Sequence, residues 1–268
     1  MRFAAWIGVV GLSGLAACSN GDNLAPSAQS GDEGVLLAVS PIGEVRSTFR
    51  VFKGTGDITA TVAEFRDALG QPPNGATPGP LTSGRREINW DGVPPDFDNN
   101  NSFPGDFFRK VGALIASHGT GLRNSSNDFF DLNPAYAEQF EPFSKPKTFA
   151  STGSPSMDLT FVVPGSDTPA AVNGVGIVFS DVDRVGSASI KLFDAKGRSL
   201  GLYLAPVRSD ATGLSFVGVV FDAAVIARAT ITAGQAAVDA GLQDLSDGGN
   251  RDLVVTDNFL FGEPQALP

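Results

Sequence analysis

Apolar and polar residues alternate over short stretches of this chain, and that period of two constrains the fold more than any other feature. In SASIKLFD (187–194), Ala188, Ile190 and Leu192 share one face while Ser189 and Lys191 share the other. That is the pattern of a strand with one side in a core and one in water. VRSTFRVF (45–52) and IARATIT (226–232) repeat it. DAKG (194–197) puts Asp first and Gly fourth, as a tight turn requires, and predicts a hairpin from SIKLFD into RSLGLYLA. Further strands are expected in RREINW (85–90), KVGALIAS (110–117), LTFVVP (159–164), GVGIVFSD (174–181), LSFVGVVF (214–221) and DLVVTDNFLF (252–261). With 32 Gly and 18 Pro supplying turns between them, the layout predicts an all-β, antiparallel β-sandwich of jelly-roll-like form.

One stretch breaks the pattern. In DITATVAEFRDALG (57–70), Ile58, Val62, Phe65 and Leu69 recur at helical spacing, Thr61 and Glu64 form a capping box, and Gly70 stands at the stop. A single short helix is expected at 60–69, packed on the sandwich by that stripe. Residues 71–84 read as loop. No second linker interrupts the strands, so 35–268 reads as one domain, preceded by a Gly, Ser, Asn and Asp-rich tether at 18–34.

The only cysteine, Cys18, ends an uncharged run (residues 3–17) that follows Arg2. The run has the order of a secretory signal and falls short of the roughly 20 apolar residues a spanning helix needs. Leu15-Ala16-Ala17-Cys18 resembles the lipobox of bacterial lipoproteins. That resemblance implies a diacylglyceryl group on the Cys18 thiol, removal of residues 1–17, and a mature protein held to a membrane by its N-terminal lipid. Ser19 stands where enteric lipoproteins carry Asp for inner-membrane retention, so the resemblance favours the outer membrane of the cell envelope. With Cys18 acylated no disulfide is available, and the core alone must hold the fold. Asp and Glu number 29 against 19 Lys and Arg, and losing Arg2 makes the balance more acidic still. Nucleic acid and anionic lipid surfaces are thereby excluded as partners on electrostatic grounds.

Towards the C-terminus, GVGIVFSDVD, SIKLFDAKGRSLG, GLSFVGVVFD, VIARATI and VVTDNFLFGEP occur in an order that resembles the end of galactose-binding-like jelly-roll domains of secreted bacterial proteins. The likeness covers 174–263, and GRREINWDGVP (84–94) resembles a segment of the same group. Its motifs are structural, so it bears on fold more than on activity. It also implies a structural Ca²⁺, for which Asp181, Asp183 and Asp257 are the expected ligands.

The residues offer little catalytic chemistry. His118, the only histidine, precedes a Gly turn in ASHGTGL and reads as a solvent-facing hairpin residue. No Gly-x-Ser-x-Gly elbow occurs in the mature chain, and one His without a free thiol cannot furnish a zinc site. No catalytic residue is assigned. Glu87, Asp91, Asp181 and Asp183 are conceivable members of a glycosidase carboxylate pair, but their spacing selects none. DFDNNNSFPGD (96–106) is dense in oxygen donors, yet it places Asn101 where an EF-hand needs Gly and Phe107 where it needs Glu. For sugar binding, a flat ring with polar neighbours is wanted, which points to Trp90 flanked by Asn89 and Asp91. Of the adjacent pairs Phe107-Phe108 and Phe129-Phe130, not every member can face inward.

Three functions follow as expectations. The first is a lipid-anchored, non-enzymatic envelope protein with a glycan or protein partner. The second is a glycan-active enzyme with paired carboxylates. The third is a structural subunit of an envelope complex.

Overall fold

The computed structural model describes residues 33–38, 45–208 and 212–268. Cys18, the leader and residues 19–32 of the expected tether lie outside the described residues. In chain order the elements are β1 (Glu33–Ala38), β2 (Val45–Thr55), α1 (Thr59–Leu69), β3 (Arg85–Ile88), β4 (Ala113–Ser117), β5 (Gly121–Ser125), β6 (Thr148–Thr152) and β7 (Ser156–Val162). There follow β8 (Pro169–Ala171), β9 (Gly174–Ser180), β10 (Ala188–Phe193), β11 (Ser199–Leu204), β12 (Leu214–Phe221), β13 (Arg228–Ala233), β14 (Val255–Gly262) and β15 (Gln265–Ala266). β1 starts two residues inside the expected tether. Short 3₁₀ turns, including Trp90–Gly92 and Pro134–Glu138, punctuate the loops.

The strands form two antiparallel sheets. An eight-stranded sheet runs β1-β2-β12-β9-β14-β6-β5, with β3 also paired to β14, and a seven-stranded sheet runs β11-β10-β13-β7-β8-β15, with β4 also on β7. Between them lies one apolar core, to which Ile177, Val217 and Phe259 contribute from the first sheet and Leu159, Ile190 and Ile231 from the second. This is the expected all-β sandwich. The strands of the second sheet keep the alternation: Ile190 and Leu192 are buried while Lys191 between them is exposed. The predicted hairpin is present, with Gly197 N–H donating to Asp194 O at 3.0 Å and β10 paired to β11.

The first sheet is buried on both faces where α1 covers it. Hence β9 and β12 read as continuous apolar runs rather than alternating ones. Ile58, Val62, Phe65 and Leu69 pack against Val178, Phe216, Val220 and Leu260. Each such buried side chain contributes about 1.5–3 kcal/mol. The close approach depends on Gly176 and Gly218, which are register partners on β9 and β12. A Cβ there would lie 2.5 and 2.6 Å from the Phe65 ring, so the two glycines form the slot that receives it. The capping box is not used. The helix begins at Thr59 after Ile58, and Asp57 Oδ1 accepts from Thr59 N–H at 3.1 Å. Burying Ile58 draws the start earlier, which puts Thr61 inside the helix.

Residues 85–150 belong to the same two sheets. β5 and β6, not anticipated from their polar sequences GLRNS and TFAST, extend the first sheet beside β14. Several buried polar groups on and beside these strands meet distant partners. Lys147 Nζ, for example, donates to Val93 O at 2.6 Å and to Asp98 Oδ1 at 2.9 Å. Beyond β6, a third apolar cluster joins Phe129, Tyr136 and Phe140 to Val238, Leu253 and Val255. It tethers the long excursion between β13 and β14 and sets the place of the acidic centre.

Candidate metal centre

β9 ends at Ser180 and the chain leaves the sheet through Asp181-Val182-Asp183. Val182 is wholly buried in the core between the sheets, whereas its neighbours Asp181 and Asp183 bring their carboxylates together. Asp181 adopts a left-handed φ of 69°, which Asp tolerates better than most residues. The partner segment is the β13–β14 excursion. Tyr136 OH donates to Asp239 O at 2.8 Å and to Leu242 O at 2.9 Å, and a turn closes where Gly249 N–H donates to Asp244 O at 2.7 Å. Asp244 is thereby brought against Asp181 and Asp183, and one carboxylate oxygen from each of the three lies within 4.8 Å of the others.

The hydrogen bonding holds these carboxylates in place and leaves oxygens over. Asp244 Oδ1 accepts from Leu253 N–H at 2.6 Å, and its Oδ2 accepts from Ser246 N–H at 2.6 Å and the Ser246 hydroxyl at 2.8 Å. Asp252 Oδ2 accepts from the N–H groups of Asp183 at 3.0 Å and Arg184 at 2.7 Å. The Gln139 amide donates to Asp181 Oδ2 and, at 2.7 Å, to Ser246 Oγ. Asp181 Oδ1, Asp183 Oδ1 and Asp252 Oδ1 are buried with no protein partner. Native structures rarely leave buried polar atoms unmatched, and like charges rarely share a site without a counter-ion.

The electrostatics agree. Burial first, then the charges of Asp244, Asp183 and Asp252, push the Asp181 carboxyl up to about 8 against the pull of the Gln139 hydrogen bond. Asp183 rises to about 6 through burial and repulsion from Asp244 and Asp252, opposed by Arg184. Asp252 is also raised, chiefly by burial. A compact cation would neutralise all of these at once. Oxygen-only donors select a hard cation of the Ca²⁺ and Mg²⁺ class over the metals that favour sulfur or imidazole.

Of the expected calcium ligands, Asp181 and Asp183 come together and Asp257 does not. Val255 pairs with Ser180 at the end of β9 beside the acids, whereas Asp257 falls in a bulge further along, between Thr256 opposite Phe179 and Phe259 opposite Ile177. There Asp257 Oδ2 accepts from Ser144 N–H at 2.9 Å, and burial pushes its carboxyl up to about 7 despite the Ser144 and Phe143 amides. Asp244 takes the expected place of Asp257. The signal that marks it is SDGGN (246–250), a dense turn between two Asp residues, which has no periodicity to reveal where it folds back.

Trp90 is not a sugar platform. It has 0% exposure, stacks on Phe149 with ring centroids 3.7 Å apart, and spends its indole N–H on Asp257 O at 3.0 Å. β3 stops at Ile88, and the 3₁₀ turn after it swings the indole into the core. Asn89 caps that turn, accepting from Asp91 N–H at 2.8 Å, and Asp91 in turn accepts from Lys147 N–H at 3.0 Å. Both side chains thus hold local backbone, and with Trp90 buried they flank no exposed ring. His118 is exposed and lies 3.3 Å from Asp158, in a turn that passes from one sheet to the other rather than within a hairpin. Phe107 and Phe108 are partly buried against the core, while Phe129 is buried and Phe130 exposed. A surface cleft of about 280 Å³ beside Leu69, Gly84, Asn173 and Glu263 carries a buried acid, but Glu263 is already bound to Arg86.

No family model matches the chain, and no curated protein does. Among solved structures, the enzymatically active domain of bacteriophage CBA120 tailspike protein 4 overlaps it with a TM-score of 0.27 at 13% identity. The overlap covers 63% of this chain and 22% of that one, so the chain spans about a fifth of the tailspike domain's length.

Proposed function

We propose that this chain is a lipid-anchored β-sandwich of the bacterial cell envelope with a binding rather than catalytic role, held in its working form by Ca²⁺ at the acidic centre. The observation that carries the cation is the set of buried Oδ1 atoms on Asp181, Asp183 and Asp252 that no protein group matches. Ca²⁺ suits the centre better than Mg²⁺, because it accepts a flexible, carboxylate-rich shell and gives up its water more readily. The anchor is supported by the order of Arg2, the uncharged run and Leu15-Ala16-Ala17-Cys18. A glycan or envelope protein is the partner class consistent with an acidic, surface-tethered sandwich.

Melting curves test the cation. Calcium at a hundred times its Kd adds about 2.7 kcal/mol, which in a domain of this size is a rise of roughly 5–10 °C over the chelated protein. Coincident curves with and without calcium dispose of the centre. Mass spectrometry of the mature N-terminus tests the anchor: an acylated Cys18 supports it, and an unmodified thiol removes it.

A further inference from the structure

We infer that Asp252 is a fourth carboxylate ligand of the centre, and that the bound cation clasps the β13–β14 excursion onto the turn that follows β9. The inference rests on the metal reading above and extends it to a residue outside the triad and to what binding accomplishes.

Asp252 joins the two segments already. Its Oδ2 is fastened to the backbone of Asp183 and Arg184, 69 and 68 residues away, while its Oδ1 is buried and unmatched. The residue has 0% exposure, and its carboxylate is fixed against the backbone of Asp183, one of the three clustered acids. Four carboxylates supply at least four oxygens of the six to eight that Ca²⁺ takes. Asp183, which is partly exposed, leaves one side of the shell open to water.

The excursion is held by hydrogen bonds from Tyr136, Asn133 and Gln139 to Asp239, Leu242 and Ser246 and by the partial packing of Leu242, and its middle is otherwise mostly exposed. Val238 and Leu253 anchor its two ends in apolar contacts, yet between residues 239 and 251 the one buried side chain is that of Asp244. An excursion whose buried tip residue is an acid facing other acids is pushed open by charge and pulled shut by a cation. Arg251, exposed at its edge, is a ready tryptic site that reports the opening.

The test combines two readouts on the purified chain. Tb³⁺ emission, excited through Tyr136 beside Asp239 and Leu242, and Ca²⁺ titration by calorimetry report binding. Limited trypsinolysis followed by mass spectrometry reports cleavage after Arg251. Wild type is expected to bind, and Ca²⁺ to slow cleavage at Arg251 by tenfold or more relative to chelator. Asp252→Asn keeps an acceptor for the two amides but loses a charge. It is expected to melt higher than wild type in chelator, to bind Ca²⁺ at least tenfold more weakly and to lose the protection. Asp183→Asn, at the open side, is expected to do the same. Wild-type affinity in Asp252→Asn overturns the assignment of Asp252. Binding without any change in cleavage overturns the clasp and leaves the metal reading standing. Failure of wild type to bind either ion overturns both.

Discussion

Two buried charged clusters in this sandwich illustrate opposite solutions. In one, Arg86 and Glu263 meet in the interior: Arg86 Nε and Nη2 each donate to Glu263 at 2.7 Å, and Nη1 donates to Gly75 O at 2.7 Å and Thr77 O at 2.8 Å. Asn74 and Leu81 N–H complete the shell of Glu263 at 2.8 and 3.0 Å. Burial alone would raise the Glu263 carboxyl, but these donors outweigh it and hold it below its usual value. In the other, carboxylate oxygens of Asp181, Asp183 and Asp244 lie within 4.8 Å of one another with Asp252 hydrogen-bonded to the backbone of Asp183, and burial pushes the carboxyls of Asp181, Asp183 and Asp252 up. The first cluster is complete within the chain. The second keeps buried acceptor oxygens without a hydrogen-bond partner. A buried charge with all its partners is a structural element, whereas one with leftover acceptors points to a ligand.

The largest effect is expected from breaking the complete cluster. Arg86→Met strands a buried carboxylate and should cost about 3–5 kcal/mol, or roughly 10 °C in Tm. The double change Arg86→Met with Glu263→Leu should recover much of that loss, and a double variant no better than the single would mean that the pair is not what holds the segment. The acidic centre should respond with the opposite sign. Asp181→Asn removes a carboxyl whose ionisation burial and the neighbouring acids oppose and should raise the chelated protein's stability by on the order of 2 kcal/mol, while abolishing the calcium response. Destabilisation in chelator would erase the contrast between the two clusters.

Titration sharpens it next. Asp257, raised to about 7 from an ordinary 3.8, keeps a proton in the folded state that the unfolded chain releases. Its favourable contribution is thus present in full below about pH 4 and is lost as pH rises towards 7, by up to about 1.4 kcal/mol per pH unit. In urea titrations with calcium present, Asp257→Asn should flatten that slope. An unchanged slope would assign the dependence elsewhere. Glu263 runs the other way: with its carboxyl held low, its contribution is present above an ordinary 4.5 and fails as pH falls through its folded value. The smallest effect belongs to the half-exposed pair of Arg66 and Glu87, whose Nε to Oε2 distance is 3.0 Å. Arg66→Met should cost less than about 1 kcal/mol, and a loss as large as that of Arg86→Met would show that burial is not what separates the clusters.

Much of the fold was legible because its signals are local. LSFVGVVF is β12 to the residue, DAKG makes the β10–β11 turn, and the stripe of Ile58, Val62, Phe65 and Leu69 is the helix face. Half of the candidate centre, Asp181 and Asp183, was expected through the jelly-roll resemblance rather than from any local period. β5 and β6 were not, because Arg123 and Lys147 read as surface residues until Asp131 and Asp98 arrive from other loops. Trp90 misled in the reverse direction: polar neighbours suggested exposure, and a single 3₁₀ turn buried it.

By itself, then, the amino-acid order marked most of the long strands, the helix and the face that each of these turns to a core, since periodicity and turn chemistry act over a few residues. Only the tertiary structure decided which acids share a centre. The pairing of Val255 with Ser180 and the fold-back of Asp244 and Asp252 join residues some 70 positions apart. Contacts at that separation depend on sheet register and chain closure, which no local pattern encodes.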